Sequence, residues 1–563
     1  MAMNCDDSAV DEILWNAIRD SNCAADFDAY LRHRPEGARH VEAATRSRGA
    51  LPEGAGPLLF RAGVAAVRAR AEAGDANAQF HMGKFHAFGT GVPQDSRRAQ
   101  DWYNLAILQG EPRAHHNLAL MLQLGMGLEQ DLRRARSLLE CAAETGEPVS
   151  LVALAEMLLR GTGGERDAQR GIDLLYRAWD LGYALAGTSI GIALLRGNAG
   201  EPNPTEGAEW LRRAADLGEV EAQRLLGDMF ERGKHVAKDV RAAEHWYRLA
   251  AGQGDTEAAL QLGTLYLDGI GVPKDGAEAV KWLRIAADMG NALAMHNLGI
   301  AYLYGMGVIP NRTEAFRWHM AAADAGDSRS QFHIGEACRL GDGRTADAEA
   351  AAQWYAKAAR AGEPPAQFAL ALAYASGNGV AKDEQAAFKW ACVSAVQGYA
   401  PGQTVLARFY RRGIGISADP AKAIQWWRRA ATKNDPVAQV DLGEAFLFGD
   451  GVERDPAEAV TLFSLAAERG VPAAKRFLGG MFLHGDGVVR DSIAAARWLR
   501  EAAEAGDAPA QYLLGLQYAE GDGVARDQTE ARLWFQRAAQ QGDERATAWC
   551  NEQAIAFLAG DES

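Results

Sequence analysis

Small and apolar residues recur along the chain at helical spacing, and the whole pattern restarts every 36 residues. In the stretch Asp255–Gly290, four of them between Ala258 and Tyr266 lie on one face of a helix. Four more, between Ala279 and Ala286, form a second such face. Each stretch of this kind therefore predicts two consecutive helices that form a hairpin.

The residues between the two predicted helices are typical of a tight turn. In Gly269–Asp275, two glycines can adopt positive φ and end the first helix. Pro273 cannot continue that helix, and Asp275 stands where a carboxylate can cap the amides of the second helix. Gly290 then ends the second helix. Each 36-residue repeat thus has its own start and stop signals.

One column of tryptophans shows how regular the repeat is. Ten of the 14 tryptophans share one phase of 36 residues: Trp102, Trp210, Trp246, Trp282, Trp318, Trp354, Trp390, Trp426, Trp498 and Trp534. No insertion or deletion interrupts the register between residues 75 and 542, which gives 13 repeats. A single hairpin leaves an apolar face uncovered, so consecutive repeats must stack into a solenoid.

A second column, in the first helices, holds only small residues. Its members are Gly83, Ala119, Ala155, Gly227, Gly263, Gly299, Gly335, Ala371, Ala407, Gly443, Gly479 and Gly515. A glycine inside a helix costs up to about 1 kcal/mol relative to alanine. We therefore expect the two helices of a hairpin to approach closely here. We also expect the tryptophans of the first column, for example Trp282, to fill the space beside these small residues.

These columns resemble a known repeat. The pattern A-x-x-x-L-G-x-x-Y-x-x-G-x-G-V, followed by a second helix with W and A-A, is clearest in Ala258–Gly290, Ala438–Gly470 and Ala510–Gly542. It is similar to the Sel1-like repeat. The resemblance implies an all-α fold, a right-handed α/α superhelical solenoid of 13 tandem 36-residue helical hairpins. It also implies an adaptor or scaffold for protein complexes, and it implies no substrate.

The segments outside the repeat are expected to cap it. We predict an N-terminal helical module (1–48), a linker (49–57), an N-terminal half-repeat cap (58–74), the repeat solenoid (75–542), and a C-terminal capping helix with a tail (543–563). The N-terminal module is predicted to hold helices near 8–19, 25–33 and 37–47. It is interpreted as a docking or capping module.

Two hairpin loops depart from the Gly-x-Gly-Val pattern. The loop at 197–204 lacks the second glycine, and the loop at 233–239 has Lys234 and His235 in its place. Exposed loops tolerate sequence drift, which explains both departures without a function. The alternative is a change of curvature or a docking loop. Asn434 replaces a closing glycine, which fits because asparagine also tolerates the left-handed region.

Charge and composition restrict the possible partners. The 563 residues include 59 basic and 74 acidic side chains, a net charge of −15. So acidic a chain argues against binding to nucleic acid or anionic membranes, because both need a basic stripe. No apolar run approaches the ~20 residues of a membrane span, and the acidic N-terminus lacks the pattern of a secretory signal. Six scattered cysteines favour a reducing compartment. We expect a cytoplasmic protein, with non-classical export as an alternative.

Residues that could carry chemistry form no recognisable active site. Cys338 lies in an apolar column, where a thiol is buried and inert. His81, His115 and His116 lie in neighbouring columns, but a metal site needs three or four converging ligands. The glycine loops follow helix C-termini, which expose carbonyls rather than the amides that bind phosphate. We expect no catalytic residue, metal or cofactor and no enzyme; a hydrolase with an unrecognised cleft is the alternative.

Partner proteins are expected on the face formed by the first helices, which lines the concave side in related solenoids. Aromatic, aliphatic and arginine side chains there are the types that dominate binding hot spots. The candidates are Phe80, Phe88, Arg160, Arg196, Arg232, His296, Tyr304, Phe332, Leu340, Phe368 and Leu372. Two stretches stand out, the aromatic and leucine-rich segment 296–372 and the three arginines.

Structural explanations remain open for both stretches. An aromatic residue in the column of Phe332 and Phe368 can pack between neighbouring repeats. The arginines lie close to Glu156, Asp228 and Glu231, which fits a solvated face of mixed charge. The functional hypothesis is that the arginines bind an acidic peptide segment while the aromatic patch takes an apolar anchor. The sequence thus predicts a protein adaptor; the alternative is an exported, virulence-associated bacterial repeat protein.

Overall fold

The computed structural model describes residues 14–15, 24–33, 44 and 58–551, and all regular structure in these ranges is helical. The helices are Ala24–His33, Leu58–Glu72, Ala76–Phe88, Ser96–Ile107, Pro112–Leu124, Leu132–Glu144, Pro148–Arg160, Ala168–Asp180, Ala184–Arg196, Pro204–Asp216, Val220–Arg232, Val240–Gly252, Thr256–Asp268, Gly276–Asp288, Ala292–Tyr304, Arg312–Asp324, Ser328–Leu340, Ala348–Arg360, Pro364–Ser376, Glu384–Val396, Ala400–Arg412, Pro420–Thr432, Pro436–Phe448, Pro456–Glu468, Pro472–His484, Ser492–Glu504, Ala508–Glu520 and Gln528–Gln540. From Ala76 onward they alternate as the first and second helices of 13 hairpins, which confirms the predicted all-α repeat architecture.

Each hairpin begins and ends at the residues that the sequence indicates. Asp75 precedes the first helix of its repeat, and its carboxylate accepts from the Ala78 amide at 2.9 Å. Gly89 ends this helix in the left-handed region, with a φ of 69°. Asp95 then caps the second helix through the Arg97 amide. Most other repeats have the same residue types at these positions and the same caps, but the first helices that follow Tyr183, Tyr399 and Val471 have no side-chain cap.

The small-residue column brings the two helices of each hairpin together, but the tryptophans do not fill the space. A Cβ atom on Gly227 would lie 2.4 Å from the ring of Tyr247, one residue beyond Trp246. The equivalent contacts are made by Tyr103, Leu211, His319, Tyr355, Phe463, Leu499 and Phe535. Consecutive residues of a helix point about 100° apart. The residue after the tryptophan therefore faces the glycine, and the prediction for the tryptophan column is wrong.

Side chains of one repeat also bind the cap of the next. Arg224 lies 3.6 Å from Asp255, and Arg476 lies 3.2 Å from Asp507. Asp255 and Asp507 are the residues that cap the following first helices. One carboxylate therefore starts a helix and joins two repeats.

The chain forms two compact units, Met1–Asp275 and Gly276–Ser563, here called the N-terminal unit and the C-terminal unit. In the N-terminal unit, Phe27 and Tyr30 of helix Ala24–His33 share a core with Val67 of helix Leu58–Glu72. This packing joins the described helix of the N-terminal module to the helix that precedes the first repeat. Its other predicted helices lie almost wholly outside the described residues, as does the predicted linker.

In the C-terminal unit, residues 544–551 are helical, where the capping helix is predicted. The ring of Trp549 lies 4.2 Å from that of Phe535 in the last repeat. This contact packs the helical residues 544–551 against the last repeat.

One of the two loops with unusual sequences keeps the usual backbone conformation, and the other does not. His235 adopts a φ of 68°, in the region that glycine occupies in most other repeats. Gly200 adopts a φ of 141° in the loop that lacks the second glycine. Asn434 takes a φ of 63° in place of a closing glycine, as predicted.

None of the helices described is long and apolar enough to cross a membrane.

Candidate functional site

The predicted aromatic stretch forms a groove in the C-terminal unit. One cavity of about 390 Å³ lies between the first helices Ser328–Leu340 and Pro364–Ser376. Its apolar lining consists mainly of Phe332, Tyr355, Phe368, Leu372 and Tyr399. Phe368 and Tyr399 meet edge to face at 5.8 Å, and Phe332 lies 6.0 Å from Tyr355. The cavity therefore presents several aromatic faces and edges to an incoming side chain.

A second cavity continues the groove toward the preceding repeat. Its volume is about 470 Å³, and it is lined by Tyr304, Phe316, His319, Phe332 and Leu340 among others. The two cavities share Phe332 and Glu336. We call these two cavities together the aromatic groove. Its lining comes from three consecutive repeats of the C-terminal unit and from Tyr399, the residue that opens the next repeat.

One carboxylate stands at the junction of the two cavities. Glu336 accepts hydrogen bonds from the hydroxyl of Tyr355 and from Arg339, whose Nη2 lies 2.7 Å away. Burial acts to raise the pKa of Glu336, but the hydrogen bonds from Arg339 and Tyr355 outweigh it and lower that pKa. Burial raises the pKa of Tyr355, and the bond to Glu336 adds to this effect. The junction therefore holds a charged carboxylate that is already paired.

Three histidine rings cluster at the aromatic groove, and two of them, His319 and His333, line its second cavity. His319 and His333 stack at 4.7 Å with planes 12° apart, and His296 lies 5.4 Å from each of them. The Nδ1 atom of His296 is 2.9 Å from the Ser330 hydroxyl and 3.2 Å from Asp327. Burial, with the neighbouring His333 and His296, lowers the pKa of His319 to about 3. Burial and His296 lower the pKa of His333 to about 4.

This cluster is packed rather than arranged to hold a metal ion. Stacked rings direct their nitrogens side by side instead of toward one centre, whereas a zinc site needs converging ligands. Among the described residues, no group of three or more His, Cys, Asp or Glu side chains is placed to bind a metal. Burial raises the pKa of the Cys338 thiol, which is fully buried as predicted and unsuited to nucleophilic attack.

The structure separates the predicted contact residues into exposed and buried ones. Tyr304 is 68% exposed, Leu340 55% and Leu372 40%, so all three are accessible along the aromatic groove. Phe80 and His296 are buried and offer little surface to a partner. Phe80 instead lies under the Arg113 guanidinium at 4.5 Å, between two repeats.

The predicted arginines and Phe88 lie in the N-terminal unit. Arg160, Arg196 and Arg232 are all exposed at the last position of their first helices. Phe88 is also exposed and lines a separate cavity of about 270 Å³. These side chains therefore do not belong to the aromatic groove.

Sequence reasoning missed part of the groove. Tyr399 stands at the helix-capping position, where most repeats have an acidic residue, so its column marks it as exceptional. Tyr355 belongs to the column that directly follows the tryptophan column. In the sequence, the residues of that column look like ordinary core residues. The three histidines of the cluster belong to three different columns. Their spacing along a single helix therefore does not predict that they lie together.

The fold defines a repeat protein built from tandem helical hairpins. A family model described as the Sel1 repeat matches 13 consecutive segments, which together extend from residue 76 to residue 543. Because these segments cover well over half of the chain, the protein belongs to the Sel1 repeat family. The resemblance found in the sequence is thereby confirmed.

Two solved structures illustrate this relationship. A protective antigen of uropathogenic Escherichia coli strains with an SLR fold is 29% identical to this protein. The match covers 87% of this protein and 97% of the antigen chain, with a TM-score of 0.60. A Sel1 repeat protein from Oxalobacter formigenes is 33% identical to this protein. The match covers 43% of this protein and 96% of the Oxalobacter chain, with a TM-score of 0.40. No curated protein matches the sequence.

Proposed function

We propose that this protein is a non-enzymatic adaptor and that the aromatic groove binds an apolar side chain of a partner protein. The supporting observation is the continuous lining of Tyr304, Phe332, Leu340, Phe368 and Leu372 across three repeats. Aromatic and aliphatic side chains around a concave pocket are the usual anchor sites of protein interfaces. The family, whose members are in general protein-interaction scaffolds, supports the same function.

The chemistry of the groove favours a protein segment over a small charged ligand. Glu336 is satisfied by Arg339 and Tyr355, so its charge is neutralised within the protein. The remaining lining is mainly apolar, and burial of an apolar side chain yields roughly 25 cal/mol per Å². We therefore expect an aliphatic or aromatic anchor, presented on a helix or an extended segment.

Affinity capture from lysate of the source organism tests this proposal. The wild-type chain is compared with Phe332→Ala/Phe368→Ala and with Leu372→Glu, which places a charge in the groove without removing a half-buried ring. Phe448→Ala is the matched control, because Phe448 is 68% exposed on the same unit but outside the groove. Proteins retained by wild type and control, but lost by both folded groove variants, support the proposal. Equal retention by all variants contradicts it.

A second candidate is a protein exposed to a host. The 29% identical structure over 87% of this chain is named as a protective antigen of uropathogenic strains, which favours this alternative. A translocation reporter fused to the chain tests it. Export of the reporter supports the candidate, whereas strictly intracellular signal contradicts it.

A further inference from the structure

A cavity lined by arginines lies where the N-terminal module meets the first repeat. Its volume is about 590 Å³. Its walls come from helix Ala24–His33, helix Leu58–Glu72 and the loop that follows helix Ala76–Phe88. The lining includes Arg32, Arg61 and Arg68, together with the apolar residues Val64, Val92 and Pro93. We call it the arginine cavity. It belongs to the N-terminal unit and shares no residue with the aromatic groove.

The register of helix Leu58–Glu72 directs two of the arginines to the cavity. Val67 of this helix is buried in the core. Arg61, Ala65 and Arg68 stand at positions i, i+4 and i+7, so they share a stripe of the helix beside that core, and all three line the cavity. Seven residues rise about 10 Å along a helix, which is within the combined reach of two arginine side chains. Arg32 reaches the same cavity from another helix.

The three arginines have no polar partner within the described part of the chain. None of their guanidinium groups forms an ion pair or a hydrogen bond there. Arg70 of the same helix, by contrast, donates from its Nε to Asp75 at 3.1 Å. Among the described residues that line the cavity there is no carboxylate. The cavity therefore combines three positive charges with space for an anion.

The nearby carboxylates do not neutralise these charges. Asp28 and Glu72 lie one helical turn along the chain from two of the lining arginines, but they form no ion pair with them. Asp95 caps the second helix of the first repeat and lies 3.5 Å from Arg98. Its charge is thus shared with an arginine that does not line the cavity.

His86 contacts the cavity loop and responds to the same positive charges. Burial lowers the pKa of His86, and a hydrogen bond with the Pro93 backbone acts to raise it. The charges of Arg68 and Arg98 lower this pKa further, against the opposite effect of Asp95. The positive potential of the arginines therefore extends to the loop that forms one wall of the cavity.

The need to satisfy the loop carbonyls does not explain the arginines. In the first repeat, the Ala87 carbonyl accepts from the Gln94 amide at 3.0 Å. In the third repeat, Arg166 of the loop itself binds the equivalent carbonyl, that of Leu159, at 3.0 Å. The arginines of the cavity come from other helices and make no such bond. Their three full charges also outweigh the partial charge of about −0.5 at the end of a helix.

We propose that the arginine cavity binds a phosphate monoester group, carried by a small organic molecule or by a phosphorylated side chain. Such a group has nearly two negative charges and three strong acceptor oxygens, so it can use three guanidinium groups. A carboxylate has one charge and only two oxygens, which a single bidentate arginine can satisfy.

The size of the cavity fits a single phosphorylated group and the moiety attached to it. Its volume falls within the range of roughly 300–1,000 Å³ that is typical of small-ligand sites. Val64, Val92 and Pro93 offer apolar surface to the rest of the ligand. A long polyanion such as nucleic acid is disfavoured by the net charge of −15.

Isothermal titration calorimetry with the full chain tests this proposal. The probe is phenyl phosphate, and benzoate is the control, because it carries a carboxylate on the same ring. We expect phenyl phosphate to bind at least tenfold more tightly than benzoate at low salt, and its affinity to fall as salt rises. Adenosine monophosphate and a phosphoserine peptide then distinguish the two sources of the group, because the true source is expected to bind more tightly.

Two adjacent alanines provide a matched pair of variants. Ala65→Glu places a carboxylate between the arginines of the cavity. Ala66→Glu adds the same charge at the next residue, which is also exposed but does not line the cavity. Glutamate is a good helix former, so both variants are expected to keep their helicity and melting. We expect Ala65→Glu to weaken phenyl phosphate binding at least tenfold and Ala66→Glu to change it little.

Removal of the arginines tests the same site independently. Arg61→Gln/Arg68→Gln is expected to weaken binding at least tenfold, because two charge-assisted donors are lost. Arg133→Gln/Arg134→Gln is the control, since both arginines are exposed in the same unit but do not line the cavity.

Four results overturn the proposal. They are absence of binding by every phosphate probe, equal affinity for phenyl phosphate and benzoate, unchanged affinity in both Ala65→Glu and Arg61→Gln/Arg68→Gln, and an equal loss in the control variants. Failure here leaves the aromatic groove untouched, because Phe332 and Phe368 lie in the other unit.

Discussion

The hydroxyl of Thr188 donates a hydrogen bond to the carboxylate of Glu219 in the next repeat, at an Oγ1–Oε2 distance of 2.8 Å. The same carboxylate oxygen accepts the Ala222 amide at 2.6 Å and thereby caps the first helix of its own repeat. Helix capping and stacking of repeats thus depend on one group. Where the column of Thr188 holds Phe332 or Phe368 instead, no such bond can form, and these side chains line the aromatic groove.

This relationship predicts a loss of stability for Thr188→Val, which keeps the shape of the side chain but removes its hydroxyl. Hydrogen bonds to charged groups contribute about 1.5–3 kcal/mol, so the local opening free energy should fall by about that amount. Amide hydrogen exchange in helices Ala184–Arg196 and Val220–Arg232 measures it. Thr461→Val is the control, since the Thr461 hydroxyl bonds only within its own helix. Equal exchange in both variants would contradict the prediction.

Two adjacent glycines of helix Pro472–His484 should respond oppositely to alanine. A Cβ atom on Gly479 would lie 2.6 Å from the Leu499 Cγ, whereas one on Gly480 would meet nothing within 4 Å. Gly480→Ala should therefore stabilise the chain by about 0.5–1 kcal/mol through helix propensity. Gly479→Ala should destabilise it by about 1–3 kcal/mol because the helices must separate.

Urea denaturation followed by circular dichroism measures this pair of variants. The adjacent position acts as an internal control for the helix propensity of alanine. Stabilisation by Gly479→Ala would show that the close approach of the two helices is not required.

The sequence was sufficient for the repeat architecture because that architecture depends on local signals. Caps such as Asp95 and Gly89 are set by a few neighbouring residues, and the 36-residue register repeats them. The pairing of Gly227 with Tyr247 was missed because it depends on which helix face meets the partner. A shift of one residue from Trp246 changes that face by about 100°.

For a related reason, only part of the candidate site could be predicted from the sequence. Column analysis found Phe332, Phe368 and Leu372, which lie on one helix face in consecutive repeats. It could not find Tyr355 or Tyr399, which reach the groove from a second helix and from a helix start. Side chains that converge from different columns require the packing angle between helices, which spacing along the chain does not contain.

Replacing His235 by glycine should stabilise the N-terminal unit. His235 holds a φ of 68°, a conformation that costs a non-glycine residue roughly 1–2 kcal/mol. We expect His235→Gly to recover about 1 kcal/mol, since glycine also loses more freedom on folding. His245→Gly is not expected to stabilise, because that residue lies within helix Val240–Gly252. A lower urea midpoint for His235→Gly would contradict the strain argument.

Replacing His319 by leucine should reduce the acid sensitivity of the C-terminal unit. The groups that face His319 are His296, His333 and Asp327, and burial with the two histidines lowers the His319 pKa from 6.5 to about 3. Between these values the unfolded chain binds a proton that the folded chain excludes, so stability falls as the pH drops below about 6.5. At pH 5, His319 alone costs about 2 kcal/mol relative to neutral pH.

Leucine removes this titration and fits the site, because Leu499 fills the same position over Gly479 in another repeat. We expect His319→Leu to reduce the difference in urea midpoint between pH 7.5 and pH 5 by about half. The remainder is expected because the His333 pKa is also lowered, to about 4. His245→Leu, which replaces an exposed histidine, should leave the pH dependence unchanged. An unchanged pH dependence in His319→Leu would show that His319 does not titrate differently in the folded and unfolded chains.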